Sequence, residues 1–168
     1  MPHEKSPDWP RLVERHAERV FRIALRILGS VHDAEDVAQN VFAEAVEIHD
    51  LGSVRSWTAM FVRLATLRSI DLLRRRRNTV ELVEADHVSH ADPSAAAEGA
   101  ELAEWLRGAV NRLPEQQAAI FSLTYFEQLD RSEVASILDI SPESVSTALY
   151  KARQGLMTQL TVFNGERA

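Results

Sequence analysis

Between Leu129 and Arg153 the chain reads LDRSEVASILDISPESVSTALYKAR. Val134, Ala135, Leu138, Ile140, Val145 and Leu149 are spaced as the core of two short helices that cross. Small Ala135 permits a close crossing, and Asp139 stands where the turn needs a residue that tolerates left-handed backbone. Ser141 suits an N-cap, Pro142 the first helical position and Glu143 the positive end of the helix dipole. A second helix presented this way can lie in a major groove and offer hydrogen bonds to base edges. An ordinary helical hairpin in a bundle satisfies the same spacing, so the two readings stand level on these residues alone.

A second chemistry is electrostatic. Residues 1–78 hold 13 Lys and Arg against 11 Asp and Glu, whereas residues 79–101 hold no base and six acids. The overall charge of −6 therefore hides a basic cluster that ends in Arg74-Arg75-Arg76-Arg77. A polyanion senses the field within about a Debye length, roughly 8–10 Å, and not the total. Metal chemistry is poorly supplied. Asp33, Glu35 and Asp36 crowd one helix turn with no histidine partner, and His87 and His90 lie in a polar stretch without further ligands at useful spacing. With no cysteine, disulfides, thiolate metal sites and cysteine nucleophiles are excluded. No phosphate-binding loop is present. Neither a catalytic residue, a metal nor a cofactor is expected.

The elements that must position these groups are helices. Leu12, Val13, His16, Val20, Ile23, Ala24, Ile27 and Leu28 follow helical steps, Arg15, Arg19, Arg22 and Arg26 fall on the other face, and Gly29 ends the helix. A second helix runs from Ser30 to His49 with the stripe Ala34, Val37, Ala38, Val41, Phe42, Ala45 and Ile48, and Asp50 to Ser53 forms a turn. A third covers Val54 to Arg77, where Asp71 could pair with Arg75 at i, i+4 and Trp57 suits an interior place. Asn78 to Glu98 loses periodicity and reads as an acidic linker. Helical spacing returns with Leu102, Trp105, Leu106 and Val110. Glu115 to Glu127 should bury Ala119, Ile120, Leu123 and Phe126. Arg131 to Leu138 and a long helix to Phe163 complete an all-α chain. The start is polar and no apolar run reaches membrane-spanning length, so a soluble cytoplasmic protein is expected.

Ala34-Glu35-Asp36-Val37-Ala38-Gln39-Asn40-Val41-Phe42 resembles the AED-x-x-Q-x-x-F signature of the sigma-70 family of RNA polymerase sigma factors. Ile70 to Arg74 resembles the D-x-x-R close of that family's region 2. Leu113-Pro114-Glu115-Gln116-Gln117 resembles the LPE opening of its region 4, and Tyr125 to Leu129 followed by Glu133-Val134-Ala135 resembles the YFEgLs-x-x-EIA run. Four pieces in family order and spacing identify the chain as similar to the small extracytoplasmic-function (ECF) group. The resemblance implies region 2, a three-helix-type bundle, over 1–78, a flexible linker over 79–98 and a helix-turn-helix region 4 over 99–168.

That resemblance also implies roles. Glu35, Asp36, Gln39 and Glu44 would dock on the clamp helices of the largest catalytic subunit of core RNA polymerase. Arg63, Arg68, Arg74, Arg75, Arg76 and Arg77 would attract promoter DNA phosphates at the minus-10 element, and the loop 49–56 would receive an extruded base. Glu143, Ser144, Ser146, Thr147, Tyr150, Lys151 and Arg153 would read the minus-35 element. An anti-sigma factor is the further partner implied, with no direct membrane insertion by this chain. The sequence departs from the family with Ser146 and Ala148 near positions that usually hold Lys and Arg, with Met60 for Trp, and with Thr66-Leu67 for Arg-Asn. Each missing cation removes about one counterion's worth of salt-dependent affinity. The rival readings are a stand-alone helix-turn-helix regulator and a protein-only adaptor that has lost promoter recognition. The first lacks a dimerisation arm, and the second draws on the few cations of the recognition helix.

Overall fold

A computed structural model describes residues 6–79 and 97–167. Most of the expected linker, with His87 and His90, lies outside the described residues. Seven helices and no strand occur among those described: α1 (Trp9–Leu28), α2 (Val31–Leu51), α3 (Trp57–Asn78), α4 (Ala97–Asn111), α5 (Glu115–Tyr125), α6 (Arg131–Leu138) and α7 (Pro142–Arg167). The all-α expectation holds.

Local signals explain most boundaries. Asp8 caps α1 through a bond from the Arg11 N–H at 3.2 Å. Gly29 ends it at φ +70°, donating to the Leu25 carbonyl. A Cβ at Gly29 would sit 2.9 Å from the Asn111 side chain, so glycine is required twice there, for the left-handed turn and for the approach of α4. Ser30 and Ser56 cap α2 and α3. Helix α2 runs two residues past the expected His49, and the turn begins at extended Gly52 rather than Asp50. Leu51, at the end of that extra turn, is 90% exposed. Helix α3 starts at Trp57, three residues later than expected, because Ser56 rather than an earlier residue supplies the cap.

Helices α1, α2 and α3 pack around Val20, Ile23, Ala24, Ile27, Val37, Val41, Phe61 and Ala65. Phe61 sits at the centre, with its ring 4.9 Å from Phe42, 5.0 Å from His16 and 5.8 Å from Trp57. Val13, expected in the stripe of α1, is instead exposed. Thr66 and Ser69 are buried in α3 and satisfy their hydroxyls on the carbonyls of Val62 and Ala65, which lets a polar side chain occupy the core.

The same apolar cluster continues into the second half through Ala119, Ile120, Leu123, Val134, Ala135 and Val145. Helix α5 lies against both α1 and α3, α4 touches α1, and α6 touches α3. A second cluster joins Ala109, Val110, Leu113, Ala118, Phe121, Ala152 and Leu156 between α4, α5 and α7. The two halves are thus packed on each other, a placement that no local sequence signal encodes.

His16 is a buried imidazole in this core. Burial, helped by the nearby positive charges of Arg15 and Arg19, lowers its pKa below the ordinary 6.5. The folded chain therefore resists a proton that the unfolded chain accepts. Stability is unaffected well above pH 6.5 and falls as pH drops below it, by at most about 1.4 kcal/mol per pH unit. Urea unfolding of wild type and His16→Leu between pH 8 and pH 5 checks this. The gap between the two should shift in favour of the variant as the solution becomes acidic.

Candidate nucleic-acid interface

The helix-turn-helix is built from α6, its turn and α7. Asp130 and Glu133 form a reciprocal capping box at the start of α6. Asp139 adopts φ 54°, ψ 48°, the left-handed conformation expected of it. The Ile140 N–H then bonds the Ala135 carbonyl at 3.1 Å. Ser141 caps α7 by accepting from the Ser144 N–H at 3.1 Å. Val134 and Val145 are fully buried between the two helices.

Glu143, Ser144, Ser146, Thr147, Tyr150, Lys151 and Arg153 are all exposed. They fall within the first twelve residues of α7, so a groove could receive them without rearrangement of the helix pair. The Arg131 guanidinium donates to Ser146 Oγ at 3.2 Å, which brings a cation from α6 to a position where α7 has none. Arg153 lies 5.9 Å over the Tyr125 ring.

The arginines of α3 are differently placed. Arg63 donates to the carbonyls of Ser136 and Ile137, at 2.9 and 3.0 Å, on the last turn of α6. Arg68 forms a two-point pair with Glu44, at 2.5 and 2.7 Å, and reaches Asp71 at 3.0 Å. The expected Asp71–Arg75 pair is therefore replaced by an i, i+3 pair with Arg68. The hydrogen bond to Glu44 raises the Arg68 pKa further, and the same bond holds the Glu44 carboxyl below its ordinary value in spite of burial. Arg74 lies 3.4 Å from the Glu115 carboxylate, and Arg77 grips the same carboxylate and the Leu113 carbonyl at 3.1 Å. Arg76 pairs with buried Asp33, which gives Asp33 a structural partner. Arg75 is exposed.

On α2, Glu35, Asp36 and Gln39 are exposed together, with Asp36 3.6 Å from His32. Glu44 is separated from them in use, because Arg68 already holds it. Trp57 is half-buried rather than interior, with ring contacts to Trp9 at 5.2 Å and to Phe61 at 5.8 Å.

Several residues in this geometry were invisible as partners from spacing. The Glu127 side chain is 7% exposed and accepts from Arg19 Nε at 2.7 Å and from Arg26 at 2.9 Å. Phe126 lies 4.5 Å beneath the Arg26 guanidinium. A tight turn at Gln128, φ 56°, with the Leu129 N–H bonded to the Leu123 carbonyl at 3.0 Å, aims Glu127 back at α1. Asn111 donates to the Arg26 carbonyl at 2.5 Å. The available signal was the row of arginines every three to four residues on α1, which a solvated face does not require.

A helical bundle bearing an acidic ridge and an arginine face, followed by a helix-turn-helix, defines a class of two-part DNA-binding protein. Residues 12–79 match the family "Sigma-70 region 2" and residues 103–156 match "Sigma-70, region 4". The chain belongs to the sigma-70 family, in its extracytoplasmic-function group. It is 29% identical to the ECF RNA polymerase sigma factor SigE of Mycolicibacterium smegmatis over 96% of this chain, and spans 65% of that relative's length. It is 27% identical to the ECF RNA polymerase sigma factor SigW of Bacillus subtilis, covering 89% of this chain and 87% of the relative. Among solved structures, its fold is similar to that of the sigma factor RpoE of Bartonella quintana, solved in complex with the anti-sigma factor NepR. The TM-score is 0.75 at 16% identity, over 92% of this chain and 98% of that one.

Proposed function

We propose that this chain is a transcription initiation factor that binds core RNA polymerase and directs it to promoters through minus-10 and minus-35 elements, assisting strand opening. The observation that carries the reading is the order of the two family matches, region 2 and then region 4, with the whole recognition face of α7 exposed. Residues 1–78 would hold the polymerase and minus-10 functions, 79–98 the linker and 99–168 the minus-35 function. Glu35, Asp36 and Gln39 offer carboxylate and amide groups for charge-assisted contacts with clamp-helix arginines, and Glu44 joins them only when Arg68 releases it. The arginines of α3 would bind phosphates, and Ser144, Ser146, Thr147 and Tyr150 would face base edges, backed by Lys151 and Arg153.

Bond formation would be the polymerase's work, and this chain would supply position. An anti-sigma factor is a fitting partner, as the similar Bartonella protein was solved with one. No helix among the described residues is long and apolar enough to cross a membrane, which accords with a cytoplasmic site of action. The test is co-migration of purified chain with core RNA polymerase, followed by promoter-dependent run-off transcription. Co-migration with transcripts is expected. Co-migration without transcripts would favour a protein-only adaptor, a reading supported by the scarcity of cations on α7, where Lys151 and Arg153 are the bases among the named positions. Specific duplex binding without polymerase would favour a stand-alone regulator.

A further inference from the structure

The arginine face assigned to DNA is not free in this arrangement. Arg63, Arg74 and Arg77 of α3 all hold groups of the second half. The decisive contact is Glu115. Its side chain is 22% exposed, and its two carboxylate oxygens are divided between Arg74 and Arg77. A backbone phosphate presents two anionic oxygens to guanidinium forks in a similar way. We infer that Arg74 and Arg77 form a phosphate-binding cradle for the promoter strand, and that Glu115 occupies it as an internal substitute for a phosphate until nucleic acid displaces it. The inference rests on the reading of α3 as a DNA-facing helix.

Three further observations fit. Glu115 is the first residue of α5, so displacing it requires no change inside that helix, although parting the halves also opens the apolar seam at Ile120 and Leu123. Although burial opposes its ionisation, a backbone hydrogen bond and the charges of Arg77 and Arg74 hold its carboxyl below the ordinary range, so it is an anion at neutral pH. A second anion of the same half, Glu127, is clasped by Arg19 and Arg26. The second half therefore meets the first as a ligand carrying two carboxylates around an apolar seam. The same guanidinium donors cannot serve Glu115 and a phosphate together, so the apparent affinity for DNA is reduced by the fraction of molecules in which the cradle is vacant.

Salt gives this competition a signature. Added salt weakens protein–phosphate contacts, but it also weakens the exposed ion pairs that keep Glu115 in place. The two effects oppose each other in the wild type and not in a variant whose cradle is already open.

The experiment measures binding of a fluorescent single-stranded oligonucleotide of mixed sequence to full-length wild type, E115Q, E115K, R74Q/R77Q and E115Q/R74Q/R77Q. Thermal melting first confirms that each is folded. The chain has no cysteine, so Glu14→Cys and Thr161→Cys accept a donor and an acceptor dye that report separation of the halves. E115Q should bind about tenfold more tightly at low salt, the change equivalent to ~1.4 kcal/mol, and E115K at least as tightly. Its salt dependence should be steeper than that of wild type. In the R74Q/R77Q background E115Q should gain nothing, because the two sites act as one. Saturating oligonucleotide should lower energy transfer in the wild type. An equal gain from E115Q with and without the arginines, or unchanged energy transfer on binding, overturns the inference. If wild type still supports run-off transcription in that case, the initiation-factor reading stands without it. Absence of both oligonucleotide binding and run-off in every variant removes the two together.

Discussion

Phe61→Ala will lower the unfolding free energy by about 3–5 kcal/mol, the cost of removing a buried aromatic side chain and leaving a cavity. Phe61 is 1% exposed, and its ring touches Phe42, His16 and Trp57 from α2, α1 and its own helix. No single neighbour can fill the space, because Phe42 and Trp57 are themselves held in the aromatic group. For a chain of this length the expected fall in Tm is roughly 10 °C, at about 2–4 °C per kcal/mol. Differential scanning calorimetry reads it directly. Phe61→Leu should recover most of the loss, as a smaller cavity remains. A change below about 1 kcal/mol for the alanine variant would mean that the three-helix core is not organised around this ring.

Glu127→Ala should have the next largest effect, about 2 kcal/mol of stability. Removing one member of a fully buried pair costs roughly 3–5 kcal/mol, since the remaining charge is left without compensation. The figure is reduced because the Arg19 side chain is 32% exposed and solvent screens it. Arg26 is less accessible, and its pKa is lowered by burial, with Arg22 and Arg107 adding repulsion that Glu127 opposes. Taking Glu127 away leaves burial and repulsion acting together. The Arg26 contact with Phe126 remains and limits the loss. A double-mutant cycle with Arg26→Ala measures the coupling by urea unfolding. An additive cycle would show that Glu127 stabilises through the turn at Gln128 rather than through the arginines.

Features controlled by neighbours in sequence were legible before any coordinate. Gly29 and Asp139 each announce a left-handed backbone by residue type and adopt it, and Ser141 announces a cap and supplies it. The boundaries of α6 follow from Asp130 before it and Asp139 after it. The end of α2 was harder, since Asp50 and Leu51 tolerate helix, and Gly52 is the residue that leaves it. Phe126 was expected in the core but is half-buried, because its ring serves as the floor for Arg26.

The candidate site was legible by residue type and not by partnership. Spacing places Arg63, Arg68 and Arg74 to Arg77 on one helix, and the exposed face of α7 follows from the caps. Which carboxylate meets which guanidinium is a long-range matter. Arg77 and Glu115 are 38 residues apart, and Arg19 and Glu127 are 108 apart. Many pairings of opposite charges satisfy the same composition, and only the packing of α5 against α1 and α3 selects among them. Glu44 illustrates the point. The resemblance implies a polymerase contact for it, while the fold gives it Arg68.

The shared apolar cluster constrains how such a protein can diverge. Ile120 and Leu123 join the apolar cluster where α5 packs on α1 and α3, and Glu115 and Glu127 answer particular arginines across the junction. A hybrid that joined residues 1–79 to the corresponding later segment of a relative would inherit a foreign set of shapes and charges at this seam. Its halves would each retain their helices and yet lose their mutual fit, so substitutions at the arginines and at the two glutamates must be accepted as matched sets over descent.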